Sequence, residues 1–188
     1  MKEIRDILKN RILILDGAMG TMIQDYKLDE DGYRGKEFAN YDSSLKGNND
    51  LLSITQPNII EDIHYQFLEA GADIIETNTF NANSISQSDY DLEDSVFEMN
   101  FQSAQLAVNA VKRFNKNNKD TKFVCGSIGP TNRTASMSPK VEDLSFRNVT
   151  FDELYDTYYE QVDGLVKGGV DLLMVETIFD TLNCKAAI

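Results

Sequence analysis

The sequence predicts a parallel α/β fold assembled from repeated strand–helix units. The first observation is an internal repeat. Gly71-Ala72-Asp73-Ile74-Ile75-Glu76-Thr77-Asn78-Thr79-Phe80 returns as Gly169-Val170-Asp171-Leu172-Leu173-Met174-Val175-Glu176-Thr177-Ile178-Phe179. Each copy is a glycine stop, a short apolar run and a Glu-Thr pair. The second observation is that strand-like runs alternate with helix-like periodicity along the chain, the pattern of a parallel sheet covered by helices. The third is that four such units occupy all 188 residues.

Taken in order, Ile4, Ile7 and Leu8 give a short leading helix. Arg11 to Leu15 is a continuous apolar run that predicts a first buried strand near 12–16, halted by Asp16-Gly17-Ala18-Met19-Gly20. Residues 24 to 56 are polar and irregular, and a loop of that length inside a domain is functional or disordered. Pro57 and an Asn58-x-x-Glu61 capping box open a helix that Gly71 closes. A strand near 73–77 follows. Ser95-x-x-Glu98 predicts the next helix start, with Val96, Met99, Leu106, Ala110 and Phe114 inward. A strand near 122–126 ends at Gly126-Ser127-Ile128-Gly129-Pro130. After a second long loop, Thr150-x-x-Glu153 caps a helix with an apolar stripe of Phe151, Leu154, Tyr155, Tyr158, Val162 and Leu165. The last strand is near 171–176, and Leu182 to Ile188 begins a helix.

A closed eight-stranded barrel needs about 250 residues. Four units in 188 residues, ending within a helix, therefore predict about half of a (βα)8 TIM barrel, with residues 1–188 as one partial domain.

Composition narrows the partners. Net charge is −13, which disfavours nucleic acid and anionic membrane surfaces. No apolar run reaches the ~20 residues of a membrane span, and Met1 to Lys9 is charged, so a cytoplasmic protein is expected. Cys125 and Cys184 fit no metal-binding or disulfide spacing. Neither G-x-G-x-x-G after a strand nor a Walker-type loop occurs.

The carboxyl ends of parallel strands are where ligands bind. Asp16, Glu76, Asn78, Ser127 and Glu176 fall there. Carboxylates on one rim suit acid–base chemistry, a metal or an ammonium group. The plain alternative is that each caps the next helix, but several strand-end acids in one register favour function. The turn Gly17-Ala18-Met19 offers free amides for a carboxylate or phosphate, or is simply a turn. Arg133 pairs with an anion or lies in a surface loop; Cys125 and His64 read as core residues.

Several segments carry a resemblance. Ile14 to Gln24, Leu45-Lys46-Gly47-Asn48-Asn49-Asp50-Leu51-Leu52, Gly71 to Asn81, Gly129 to Ser136 and Glu176 to Asn183 resemble homocysteine S-methyltransferases. The Lys46 to Asp50 and Asn132 to Ser136 segments resemble most narrowly the homocysteine-binding module of cobalamin-dependent methionine synthases. The resemblance implies a (βα)8 barrel that binds homocysteine and zinc and takes a methyl group from methylcobalamin. It implies that Asp16 and Glu176 hold the substrate's amino group and that the amides after the first strand hold its carboxylate. The family's three zinc-binding cysteines lie on later strands, and no position here matches them. The expectation is thus an N-terminal part of such an enzyme, inactive alone. It would associate with a complementary half-barrel chain or with itself through open sheet edges. The alternatives are a non-catalytic amino-acid-binding scaffold and one subunit of a split methyltransferase.

Overall fold

The computed structural model describes residues 4–188. Its helices are α1 (Ile4–Leu8), α2 (Met19–Asp25), α3 (Glu30–Arg34), α4 (Leu52–Thr55), α5 (Pro57–Ala70), α6 (Ser84–Gln87), α7 (Val96–Asn115), α8 (Phe151–Gly168) and α9 (Thr181–Ala187). Its strands are β1 (Ile74–Glu76), β2 (Phe123–Ile128) and β3 (Leu172–Val175). They form one parallel sheet in the order β1-β2-β3. Among the described residues no helix is long and apolar enough to cross a membrane. The fold is α/β, as predicted, and consistent with part of a TIM barrel.

The predicted first strand differs. Residues 12–16 run parallel to β1 but form a single bridge, Leu15 to Ile74. Two side chains explain why. Below the bridge, the Ile14 amide donates to Asp73 Oδ2 at 3.0 Å; above it, the Glu76 amide donates to Asp16 Oδ2 at 3.0 Å. Carboxylates take the positions that a continuing ladder would give to carbonyls. Ile12 and Ile14 are mostly solvent-exposed, so this segment is an outer edge and not a strand buried on both faces.

The repeat has a structural cause at its aspartate. Asp73 donates its amide to Ile14 O at 2.7 Å and accepts the Ile14 amide on its side chain. Asp171 does the same with Val124: its amide donates to Val124 O at 2.8 Å, and its Oδ2 accepts the Val124 amide at 2.9 Å. Each aspartate fixes the start of its strand against the preceding one.

Of the three predicted capping boxes only Thr150–Glu153 forms. Asn58 lies inside α5, because Pro57 occupies the first turn and Gln56 is the cap. Ser95 ends a 3₁₀ turn with φ −96°, ψ −2°, which is not the extended geometry a capping side chain needs. Gly71 closes α5 and Gly169 closes α8, both left-handed.

The segment 24–56 is ordered, not irregular throughout. Its Tyr33, Leu45, Leu51 and Leu52 join Ile60, Ile63 and Met99 in one core cluster. Glu30 stitches it together by accepting the amides of Leu45 and Lys46 and the Ser44 hydroxyl. Those bonds, the Leu45 amide first, hold the Glu30 carboxyl down at about 2. Contact order is long here, which local periodicity does not register.

Helix α7 buries all five of its predicted inward residues. Helix α8 does not: Phe151 and Tyr155 stay exposed, while Thr157, Gln161, Gly164 and Gly168 are buried with Leu154, Tyr158 and Leu165. The two helices approach so closely that a Cβ on Gly164 would lie 2.8 Å from Asn100 Cβ, and one on Gly168 2.9 Å from Phe101 O. This close glycine seam turns α8 away from the orientation its apolar stripe predicts.

Candidate functional site

At the carboxyl ends of the strands lies a cavity of about 310 Å³. It is lined by Asp16, Gly17, Ala18, Met19, Glu76, Asn78, Ser127 and Glu176 together, so all eight sequence-derived candidates meet in one place. Sequence reasoning passed over Asn49, Asp50 and Asn81 as site residues; they also line it, as does Gly20 at the end of the candidate turn. Asn49 and Asp50 sit in the Lys46 to Asp50 segment; the signal was there, without a strand end to mark it.

Each group is held by its neighbours. Asp16 emerges where the edge segment ends, and its Oδ2 accepts the Glu76 amide. Ser127, on β2, donates its hydroxyl to Glu176 Oε1 at 2.6 Å and so orients that carboxylate. Thr177 follows Glu176 with φ +56°, an unfavourable conformation for a β-branched residue, at the turn where Glu176 leaves β3. Asn78 is a clamp: its Nδ2 donates to Asn49 O at 2.6 Å, and its amide donates to Ser103 Oγ at 2.8 Å. Asp50 is buried and accepts the Asn81 amide at 3.0 Å.

The turn after Asp16, which also lines the cavity, offers hydrogen-bond donors without a basic residue. The amides of Gly17, Ala18, Met19 and Gly20 have no acceptor among the described residues, and no side chain caps α2. They precede and open that helix, which leaves N–H groups directed outward.

The electrostatics are one-sided. Four carboxylates line the cavity, and among the described residues no Lys, Arg or His does. Burial pushes Asp16 up to about 7; the charges of Glu76 and Glu176 add to it, and the Glu76 amide opposes it. Burial, then the charge of Glu176, raises Glu76 to about 7. Asp50 rises to about 6 through burial. For Asp16 burial is the larger cause, and Glu76 acts on it ahead of Glu176.

The remaining candidates lie elsewhere. Arg133 is outside this cavity, in the loop reading, beside Glu153. His64 is fully buried on α5, held neutral by burial with its pKa down at about 4. Cys125 is buried on β2, and burial, then the three rim carboxylates, pushes its thiol up to about 12. Such a thiol does not supply a thiolate to a metal near neutrality. Among the described residues no three His, Cys, Asp or Glu side chains converge to hold a metal. The residues present therefore do not fit a zinc–thiolate centre.

Solved structures of the homocysteine methyltransferase MmuM from Escherichia coli share this fold. The metallated form matches with TM-score 0.72 and 22% identity, covering 97% of this chain and 59% of that one. The oxidised form gives 0.73 and 21% over the same shares, and the apo form gives 0.66 and 20% over 97% and 56%. The chain thus spans less than two thirds of the length of these structures. The profile of the family described as homocysteine S-methyltransferase matches residues 13–188, and the chain belongs to that family.

Proposed function

We propose that the cavity binds the amino-acid end of homocysteine, with Asp16, Glu76 and Glu176 around the ammonium and the amides of Gly17, Ala18 and Met19 on the carboxylate. The observation that carries this reading is the pairing of unopposed carboxylates with unpaired amides across one small cavity. That arrangement complements a zwitterion, with acceptors for an ammonium and donors for a carboxylate. Ser127 orients Glu176, while Asn78 and Asp50 hold the loops that form the wall.

The parent activity we propose is methyl transfer to homocysteine, of the methionine synthase kind, with a methylated corrinoid as donor. The Lys46 to Asp50 and Asn132 to Ser136 segments support that narrower reading. Residues 1–188 would form the first βα units of a barrel whose remaining strands, with the metal-binding thiolates, come from further polypeptide. When bound there, zinc would supply a thiolate from the substrate thiol. This chain's own residues bind and orient the amino acid.

The test is calorimetric titration of the chain with L-homocysteine and L-methionine. Binding of both is expected, weakened about tenfold or more by Asp16→Asn, a loss of about 1.4 kcal/mol or greater. Absence of binding, or equal binding by the variant, contradicts the proposal. Methyl transfer by the chain alone would contradict the assignment of the chemistry to further polypeptide.

A further inference from the structure

The cavity holds more acid than one ammonium can neutralise. Asp16 and Glu76 are joined through the Glu76 amide, which donates to Asp16 Oδ2. Their other oxygens, Asp16 Oδ1 and Glu76 Oε1, are buried and have no hydrogen-bond partner. Among the described residues, the charged or titratable groups facing them are Glu176 beyond β3, Cys125 on β2 and Asp50 on the loop wall, and none is cationic. Two buried carboxylates with an orphaned oxygen each and no counter-ion cannot both ionise at low cost.

We propose that Asp16 and Glu76 share one proton in the empty site, and that an incoming amino acid's ammonium displaces it, so that binding releases a proton and only ligands with a charged amine are accepted. This rests on the reading of the cavity as an amino-acid site. The proton leaves to solvent as the ammonium N–H groups pair with the carboxylates that line the cavity; no bond to carbon or sulfur changes. Burial, with the charge of Glu76 acting on Asp16 and that of Glu176 on Glu76, holds both acids near 7, so the proton is present in the empty site up to neutrality. The direction of the pH effect follows. Because binding expels a proton, affinity rises with pH up to about neutrality and falls on the acid side by about tenfold per pH unit.

Two measurements separate this inference from the reading beneath it. The first needs no ligand: carboxyl carbons of the isotope-labelled chain are followed by NMR through a pH titration. Asp16 and Glu76 are expected to titrate as a coupled pair in two steps, one of them near neutrality, and Glu76→Gln is expected to move the Asp16 midpoint down. Complete ionisation of both acids well below neutrality overturns the inference, whatever the ligand. The second is titration with L-methionine, which has no ionisable thiol, in buffers of differing ionisation enthalpy. About one proton released per molecule bound at pH 6 supports the proposal, with markedly less release in Glu76→Gln. Binding without proton release overturns the proposal but leaves the amino-acid site standing; no binding at all overturns the site reading, and the ligand-free titration then still decides the shared proton.

Discussion

Asp73 and Asp171 make the same pair of hydrogen bonds at the start of neighbouring strands, each giving its amide to and taking an amide from one residue of the strand before. They differ in their surroundings. Asp73 also receives Arg11, whose Nη1 and Nη2 donate at 2.6 and 2.8 Å, and Lys122 stands 3.5 Å away.

Replacement of Asp73 by alanine is therefore expected to cost more stability than replacement of Asp171. Removing Asp73 strands the Ile14 amide and a buried Lys122, an effect of about 2–4 kcal/mol; Asp171→Ala costs about 1–2 kcal/mol. Urea denaturation of both variants checks the order. The Arg11 guanidinium holds the Asp73 carboxyl well below its ordinary value, so its contribution is present above the unfolded carboxyl range and is lost as pH falls below it.

Gly168→Ala is expected to destabilise by about 1–3 kcal/mol, because the added Cβ would fall on Ala104 Cβ and the Phe101 carbonyl. Gly71→Ala, where no atom lies within 4 Å, carries only the cost of its φ of +108°, about 1 kcal/mol. A thermal melt that ranked the two the other way would contradict the close α7–α8 seam.

Acid should weaken the fold through His64. Both ring nitrogens are buried and unpartnered, and the folded pKa of about 4 lies below the ordinary 6.5. The unfolded chain thus binds the proton first, and stability falls as pH drops from 6.5 to 4, by about 3 kcal/mol at most. His64→Leu is expected to flatten the stability profile across that window.

Ile12 and Ile14 on one outer edge and Leu173 and Phe179 at the other are exposed apolar side chains. Open strands of this kind pair with other chains. The isolated chain is expected to self-associate in size-exclusion chromatography as concentration rises. A monomer at every concentration would contradict this.

Much of this was legible in the sequence, for physical reasons. The helix stops at Gly71 and Gly169 need left-handed backbone, and the apolar runs after them have nowhere to go but a sheet. The same register places Asp16, Glu76 and Glu176 at one end of it. What escaped was set by tertiary partners. No local pattern says that Asp73 and Asp16 would take the amides that a longer first strand required. Nor does one say that Ser95 would close a 3₁₀ turn, or that Gly164 and Gly168 would set the roll of α8. The role of Asp50 as wall depends on the Asn81 amide, 31 residues away.

In the function proposed above, a zwitterionic amino acid lies between the amides after Asp16 and the three rim carboxylates. Amide chemical-shift mapping of the ¹⁵N-labelled chain with L-methionine tests it most directly. Saturable shifts are expected, centred on Gly17, Ala18 and Met19 and on the amides of Glu76 and Glu176, and absent when the ligand's amine is acetylated. Shifts centred on any other surface, or an undiminished response to the acetylated ligand, would contradict it.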